Sequence, residues 1–374
     1  MRHRRPAARA IALGVTLLLL VAGCAKDTPQ NTFKSAGPFN GEIQQLITPV
    51  FWIAIVVFFF VQALIIVAVV KFRRKSEDDR PEQIHGSTVF EVSWTILPAL
   101  ILLFVGVLTV GKIFFLDKQY EDSLQVDVIG HQWWWEYAYR GQDGQVTVRT
   151  ANELHIPVGR HVQLNLTSAD VIHNYWPPKL AGKVYAIPGH RNHMTIQADK
   201  ADFFYGECAE YCGLSHANMR LRVVAQPQGD FDRWLAANSA TTPSRTYQLV
   251  STATQATASE VEKGYTLFLQ KGCSGCHAVN GVAKGAVGPN LTYFNSRATF
   301  AGAIFANDDE NLRAWLRNPP GEKPGSLMPN LKLQESEITS LIAYLRSLGD
   351  PSLRGTAPAT GQAAAAPSAH PAQP

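Results

Sequence analysis

The sequence predicts a multi-domain protein with three parts: a transmembrane hairpin of two helices, an all-β barrel and an all-α C-terminal module. Two apolar stretches before residue 117 are each long enough to cross a bilayer. Period-two alternation follows over about 110 residues, and helical periodicity returns near the C-terminus. The length of 374 residues fits several modules better than one core. The formal net charge of +4 gives no reason to expect nucleic acid as a partner.

Residues 1–23 have the pattern of an export signal. "MRHRR" is a basic start, "IALGVTLLLL" is an apolar core, and "VAGC" is a small-residue site that ends at Cys24. The tetrapeptide resembles a bacterial lipobox, which implies a lipoprotein signal peptide and lipidation of Cys24. An ordinary cleaved signal and an uncleaved anchor are the alternatives.

Segment 24–122 contains two predicted transmembrane helices, at about residues 50–70 and 94–116. Pro98 is compatible with the second helix because neighbouring helices can satisfy the backbone groups that it frees. The connecting stretch "KFRRK" (71–75) is basic, and short basic loops remain on the cytoplasmic side. Both flanking regions are therefore expected outside the cytoplasm, in agreement with the export signal.

Residues 123–235 are predicted to form the all-β module. Five stretches alternate apolar and polar residues, and turn-forming residues separate them. They read "LQVDVIG", "QVTVRT", "HVQLNLTS", "HMTIQA" and "LRVVAQ". Short strands of this kind predict a β-sandwich or barrel.

Composition marks the remaining boundaries. Residues 236–258 are rich in Ser, Thr, Ala and Gln and predict a flexible linker. Such a linker would hold the next module near the barrel at an effective concentration of about millimolar. That module covers residues 259–349, and an Ala/Pro-rich tail that is predicted to be disordered follows at 350–374.

The C-terminal module contains the pentapeptide "CSGCH" (273–277). In an exported protein, Cys273 and Cys276 would be compatible with a disulfide. With His277, however, they complete Cys-x-x-Cys-His, the attachment motif of c-type haem. The motif supplies two thiols for the vinyl groups and an axial histidine for the iron. Met328 is the only methionine of the module and is the candidate sixth ligand, with a gap-filling core methionine as the alternative.

Helical patterns surround this motif, and the module resembles a class I cytochrome c over nearly its whole length. The predicted apolar positions are Val261, Tyr265, Phe268 and Leu269 before the motif, and residues 338, 341, 342 and 345 in "ITSLIAYLRSLG". The resemblance implies that the carbonyl of Pro289, in "GPNLT", orients the axial histidine.

A second cluster of soft donors lies in "CAEYCGLSHANM" (208–219). Cys208, Cys212, His216 and Met219 place two thiols, an imidazole and a thioether in one short loop. These donors favour copper, whereas a zinc site would have no use for the methionine. A disulfide between the two cysteines is the structural alternative. A further histidine is needed from elsewhere in the barrel.

This loop resembles the copper A loop of cytochrome c oxidase subunit II, and the resemblance extends from the first membrane helix to Leu235. It implies a cupredoxin-like barrel in which both cysteines bridge two coppers, so that the electron is shared between them. It also implies that His173, in "SADVIHNYWPP", binds one copper and His216 the other. Met219 and the main-chain carbonyl of Glu210 would be weaker ligands. The loop would then be a dinuclear electron relay.

Two further stretches match segments of the same family. In "HQWWWEY" (131–137), the resemblance implies that Trp133 is where electrons enter, whereas packing would also explain Trp134 and Trp135. In "EVSWTILPA" (91–99), it implies that Glu91 lies near the entrance of a proton pathway into subunit I. A solvated acid at the membrane edge is the alternative for Glu91.

Some residues depart from the family pattern or have no assigned role. In "YAIPGHR", Tyr185 and His190 replace an acid and a base, which puts some contacts with subunit I in doubt. Most of the remaining histidines are expected to be ordinary polar residues. They are His131, His155, His161, His190 and His193.

The resemblance implies subunit II of a caa3-type cytochrome c oxidase in a bacterial cell membrane, with both metal domains on the extracytoplasmic side. Electrons would pass from an external donor to haem c, then to copper A, then to subunit I, which reduces oxygen to water and pumps protons. The implied partners are subunit I, other oxidase subunits, a cytochrome c or another donor, and membrane lipid. This chain alone is not expected to reduce oxygen, because it lacks the many helices which that reaction needs.

Two other functions remain compatible with the residues. One is the copper A subunit of a nitric oxide reductase, which would keep the relay and change the partner. The other is a membrane-anchored electron carrier without an oxidase partner. Two membrane helices argue against a mere carrier, since one lipid and one anchor would suffice.

Overall fold

The structure is a computed structural model that describes residue 14 and residues 28–74, 76, 85–239 and 255–355, with side chains from residue 259 in the last range. Cys24, almost all of the predicted signal, linker residues 240–254 and tail residues 356–374 lie outside the described residues.

Helices occupy both ends of the described chain, and strands occupy its middle. The helices are α1 (Pro38–Lys71), α2 (Thr88–Leu116), α3 (Gln228–Ala237), α4 (Gln255–Gln270), α5 (Cys273–Cys276), α6 (Asp309–Arg317), α7 (Pro319–Glu322) and α8 (Glu335–Arg346). The barrel strands are β1 (Leu124–His131), β2 (Trp134–Arg140), β3 (Val146–Ala151), β4 (Glu153–Pro157), β5 (Val162–Ser168), β6 (His173–Trp176), β7 (Val184–Ala186), β8 (Asn192–Ile196), β9 (Asp202–Cys208) and β10 (Arg220–Gln226).

The two apolar helices contain both predicted membrane spans and extend beyond them. Helix α1 has 34 residues, which at 1.5 Å per residue gives about 51 Å, well over the ~30 Å of a hydrocarbon core. Its first turn uses the excess length to reach the barrel: Phe39 is buried in the barrel core, and Asn40 N donates to Leu180 O at 3.1 Å. The hairpin and the barrel are therefore joined by packing as well as by the chain.

Lys112, the one charged residue of the second predicted span, has partners on the first helix. Its ammonium pairs with Glu42 and donates to Gln45 Oε1 at 2.8 Å. Because α2 leads into the barrel, these contacts lie at the barrel end of the hairpin. The charge is therefore satisfied there rather than in the hydrocarbon region.

Two five-stranded sheets form the barrel module. Their strand orders are β3-β2-β1-β5-β8 and β4-β10-β9-β6-β7. β1 pairs with β5 in parallel, and β10 pairs with β4 in parallel. Inward residues at period two, such as Val126, Val128, Leu164 and Leu166, are fully buried and fill the space between the sheets.

The five alternating stretches correspond to β1, β3, β5, β8 and β10, whereas the sequence analysis did not identify the other five strands. β4 shows the reason, because all five of its residues are buried. A strand that is covered on both faces has no polar side and hence no alternation.

The C-terminal module packs α4 against α8. Ile338, Leu341, Ile342 and Leu345 of α8 are buried, as the periodicity predicts. On α4, Phe268 is buried, but Leu269 is 40% exposed, so the predicted face was too wide by one residue. The two helices approach closely at Gly264, where an added Cβ would overlap the Ser340 carbonyl.

The helical content of the C-terminal module is modest. Its loops also form two short antiparallel ribbons. They pair β11 (His277–Val279) with β12 (Ala283–Ala286), and β13 (Thr299–Phe300) with β14 (Phe305–Ala306). The predicted fold class is confirmed, with short strands added to the helices of this module.

The ordered chain continues past Asp350, where we predicted the tail to start. Pro351–Leu353 forms a short 3-10 helix, and Arg354 Nη2 donates to Asn295 Oδ1 at 2.6 Å. The prediction of a disordered tail was wrong for residues 351–355, because specific side-chain contacts offset the cost of ordering them.

Gly264→Val is expected to destabilise the C-terminal module by about 1–3 kcal/mol, since the new side chain must push α4 away from α8. Calorimetric unfolding of the full chain should show a lower Tm for this module. Gly275→Ala is the matched control, because nothing lies within 4 Å of its Cβ position. An equal Tm for the two variants would contradict the close packing at Gly264.

Candidate metal centres

The soft-donor loop connects β9 to β10 at one end of the barrel. Cys208 is the last residue of β9, and its amide donates to Met219 O at 2.9 Å, just before β10 begins. A short 3-10 turn at His216–Asn218 folds the loop back between these two points. Two paired strands therefore fix both ends of the loop.

The loop brings its four predicted donors and one carbonyl together. Cys208 Sγ lies 3.8 Å from Cys212 Sγ and 3.2 Å from Glu210 O. Cys212 Sγ lies 3.6 Å from His216 Nδ1 and 3.8 Å from Met219 Sδ. Both cysteines are buried free thiols rather than a disulfide.

His173 supplies the histidine from outside the loop. It begins β6 and is fully buried, with its Nδ1 3.9 Å from Cys208 Sγ. Its Nε2 faces Asp170 Oδ1 at 2.8 Å, which leaves Nδ1 for a metal. Gly130 permits this position, because an added Cβ would come within 2.7 Å of the imidazole.

The two sulfurs have opposite pKa shifts, so Cys212 keeps its proton and donates it in a hydrogen bond to the Cys208 thiolate. The hydrogen bond from Cys212, helped by His173, lowers the pKa of Cys208 to about 4. The neighbouring Cys208 thiolate and burial raise the pKa of Cys212 well above its usual range. For His173, burial lowers the pKa, but hydrogen bonds to Asp170 and Cys208 outweigh it, and the net shift is upward. One thiolate is thus already available to a metal in the metal-free protein.

The donor set suits copper. His173, Cys208 and Cys212 place their ligand atoms within 4.8 Å of one another. Two thiols, two imidazoles and a thioether in a buried site match the preferences of copper among the first-row metals.

The C-terminal module has a cleft lined by both cysteines and the histidine of the haem motif. His277 Nδ1 donates to Pro289 O at 2.8 Å, which leaves Nε2 for an iron. An added Cβ at Gly288 would come within 2.5 Å of the His277 ring, so a glycine is needed there. Cys273, Cys276, His277, Pro289 and Met328 all line this cleft, as covalent haem binding requires.

The same cleft is closed on one side by the barrel module. Trp133, Trp134 and Asn152 of the barrel line it, together with Arg297 and Lys323 of the C-terminal module. Asn152, Arg297 and Lys323 were not predicted from the sequence, because a contact between separate modules leaves no periodic or motif signal. Asp170 was also missed, although its position three residues before His173 is a signal that could have identified it.

The three adjacent tryptophans have different surroundings. Trp133 is buried, and its Nε1 donates to Cys212 O at 3.1 Å. Trp134 stacks on His131 with ring centroids 4.1 Å apart, and Trp135 is fully buried in the barrel core. Trp133 alone therefore touches the soft-donor loop while also lining the cleft.

Glu91 lies away from both centres. It occupies the first turn of α2 and is exposed, whereas the barrel begins after the other end of that helix. At 1.5 Å per residue, about 37 Å of helix separates Glu91 from Leu116.

Several unassigned histidines have ordinary polar or packing contacts in the described residues. His155 stacks on Trp234, and its Nδ1 donates to Gln226 Oε1 at 3.0 Å. His161 stacks on Tyr120. Exposed Tyr185 lines a shallow groove with Glu210 and Cys212 of the soft-donor loop, whereas exposed His190 lies outside the donor set.

Three protein families match successive parts of the chain. "Cytochrome C oxidase subunit II, transmembrane domain" matches residues 25–110, and "Cytochrome C oxidase subunit II, periplasmic domain" matches residues 140–226. "Cytochrome c" matches residues 261–349.

Curated relatives match over most of the chain. Cytochrome c oxidase subunit 2 of Alkalihalophilus pseudofirmus is 35% identical over 345 residues, covering 89% of this chain and 94% of the relative. The protein of that name from Bacillus subtilis is 31% identical and covers 91% and 97%. The periplasmic domain of Bradyrhizobium japonicum subunit II, a crystal structure, is 29% identical, covers 33% of this chain and 96% of that domain, and has a TM-score of 0.30.

Acidification of the metal-free protein from about pH 8 to about pH 6 should leave one thiolate in the barrel, because the depressed pKa of Cys208 lies below that range while an ordinary thiol has a pKa of about 8.5. The ultraviolet absorbance of thiolate measures this. Cys208→Ser should abolish the signal that persists at pH 6, whereas Cys276→Ser should not. Loss of all thiolate absorbance by pH 7 would contradict the shared-proton pair.

Proposed function

The chain belongs to the cytochrome c oxidase subunit II family, and we propose that it is the subunit through which electrons enter a caa3-type haem–copper oxidase. The observation that carries this proposal is the place of Trp133. Its indole donates to the carbonyl of Cys212 in the soft-donor loop, and it also lines the cleft that contains the haem motif. One side chain thus adjoins both candidate centres.

The family implies copper A and haem c as cofactors. When bound, these groups supply one-electron transfer, and the proposed order is external donor, haem c, copper A and then subunit I, where oxygen is reduced to water. The protein contributes ligands, burial and fixed distances. Burial keeps water from both sulfurs, His173 and Met219. The paired strands would limit how far the loop moves when the charge changes.

For the copper site, we assign two coppers to six residues. Cys208 and Cys212 would bridge the two metals. His173 and His216 would each bind one of them, and Met219 and the carbonyl of Glu210 would be the weaker ligands. The support is the convergence of these donors within 3.2–3.9 Å of one of the two sulfurs.

For the haem site, we assign one covalent haem c. Cys273 and Cys276 would attach it, and His277 and Met328 would be its axial ligands. The Pro289 carbonyl, which accepts from His277 Nδ1, would keep the imidazole oriented and raise its basicity.

The proposed surroundings follow from the hairpin and from the family. The chain is membrane-anchored through two apolar helices. We place the metal domains on the extracytoplasmic side of a bacterial cell membrane, with subunit I beside the hairpin and a cytochrome c as donor. We also propose that Cys24 is lipidated and that Glu91 takes part in proton uptake.

Metal analysis of the purified full chain tests the copper assignment. We expect two coppers per chain and a mixed-valence spectrum with hyperfine splitting from both nuclei. Cys212→Ser should abolish the mixed-valence signal, because the bridge needs both sulfurs. His190→Asn, a change at an exposed histidine outside the donor set, should retain the signal. A single copper or a zinc in the wild type would refute the assignment, and a purified complex that consumes nitric oxide rather than oxygen would refute the oxidase.

Met328→Leu tests the haem assignment. The haem should remain attached through its two cysteines, while loss of the thioether ligand should lower the reduction potential. Denaturing electrophoresis with haem staining and a redox titration measure the two properties. An unchanged potential would show that Met328 is a packing residue.

A further inference from the structure

We propose that Lys323 and Glu153 form a two-point latch that fixes the C-terminal module on the barrel, and that Lys323 is a positioning residue for Trp133. The latch holds the two modules in one docked arrangement. Its consequence for electron transfer rests on the proposed function.

Lys323 is a buried lysine that, within the described part of the chain, donates only to main-chain carbonyls. It follows α7 and is 4% exposed. Its Nζ donates to Trp133 O at 2.6 Å and to Ala301 O at 2.9 Å, so it bridges the two modules. Burial lowers the pKa of Lys323 to about 7. Burying an ammonium is costly, and such a position persists only where specific acceptors compensate for lost water.

The loop that supplies the second acceptor is held in an unusual conformation. Ala301, Gly302 and Ala303 all have positive φ, at 55°, 86° and 58°. Residues with a side chain rarely adopt this region, because it is strained for them. The Gly302 carbonyl accepts from Arg220 N of the barrel at 3.0 Å. An added Cβ at Gly302 would lie 2.6 Å from Asn218 O, so the loop is shaped to the barrel surface.

Glu153 is the second point of the latch. It lies on β4, is fully buried, and accepts from Ala298 N at 3.0 Å and from Thr299 Oγ1 at 2.6 Å. Next to it, the buried Arg297 donates from Nε to Thr150 Oγ1 at 3.2 Å. A buried carboxylate needs such donors, and here the C-terminal module supplies two of them.

These contacts hold both ends of Trp133. Its carbonyl receives Lys323, and its indole N–H donates to Cys212 O. Gly325, two residues after Lys323, lets the C-terminal module approach the indole, because an added Cβ would lie 3.1 Å from the ring. A flexible linker alone would bring the modules together only transiently, whereas the latch gives one fixed geometry.

Hydrogen exchange on the full-length chain as purified tests the latch. Two amides cross the interface, Arg220 N to Gly302 O and Ala298 N to Glu153 Oε2, and in the wild type both should be protected. In Lys323→Met, exchange at Arg220 should accelerate at least tenfold. The amides of Cys208 and Leu291, whose acceptors lie within their own modules, should be unchanged. Lys284→Met, at an exposed position on β12, is the control and should match the wild type.

The spin relaxation of copper A, which an oxidised haem iron accelerates according to distance, tests the positioning role. The acceleration should fall at least threefold in Lys323→Met, persist in Lys284→Met, and be partly restored in Lys323→Arg. Thr299→Val removes a donor to Glu153 while keeping the side-chain shape, and it should loosen the interface even if Lys323→Met does not fold.

The outcomes separate the two claims. Fast exchange at Arg220 and Ala298 in the wild type, or wild-type exchange and relaxation in both Lys323→Met and Thr299→Val, would overturn the latch. Absence of copper A or haem from the wild type would instead overturn the proposed function, and the exchange experiment would still decide whether the modules are latched.

Discussion

The carbonyl oxygen of Cys212 is the point on which the arrangement of the molecule depends. It accepts hydrogen bonds from Gln132 Nε2 at 2.8 Å and from Trp133 Nε1 at 3.1 Å. These bonds tie the loop between β9 and β10 to the turn between β1 and β2, so the two sheets meet at the soft donors. Through the carbonyl of Trp133, the same turn holds Lys323 of the C-terminal module. The positions of both candidate metal centres are thereby fixed by contacts with one short stretch of backbone.

The burial of the donors explains why that stretch must be rigid. Without a metal, a buried thiolate costs free energy unless neighbouring groups donate hydrogen bonds to it. One sulfur has a depressed pKa, because the other donates to it and His173 supports the thiolate. Asp170 in turn fixes His173. A metal that replaces the shared proton would find its ligands already placed, which limits the rearrangement that each electron would require.

Sequence reasoning reached the parts of the structure that leave a local signal. Spacing located Cys208, Cys212, His216 and Met219, and a five-residue motif located Cys273, Cys276 and His277. Apolar length located both membrane helices. Strand β4 escaped because a strand buried on both faces has no alternation. The α4 face was drawn one residue too wide, since the close approach at Gly264 is set by α8, which lies about 75 residues further along the chain.

The interface between the modules could not be predicted by these means. Lys323 and Glu153 have no distinctive neighbours in the sequence, and a linker rich in small polar residues suggests tethering rather than docking. What joins the modules is a set of contacts between residues far apart in the sequence, and the bonds from Thr299 to Glu153 and from Lys323 to Trp133 each join positions more than 140 apart. Only the folded structure brings such pairs together.

The most direct test of this account is the rate at which an electron placed on the haem reaches the copper centre in the isolated full chain. A laser-triggered reductant would load the haem, and the copper absorbance would report the arrival of the electron. The docked arrangement predicts a first-order rate that is independent of protein concentration and nearly independent of ionic strength, since the contacts are buried. A rate that rises with protein concentration, or that falls steeply with added salt, would contradict it.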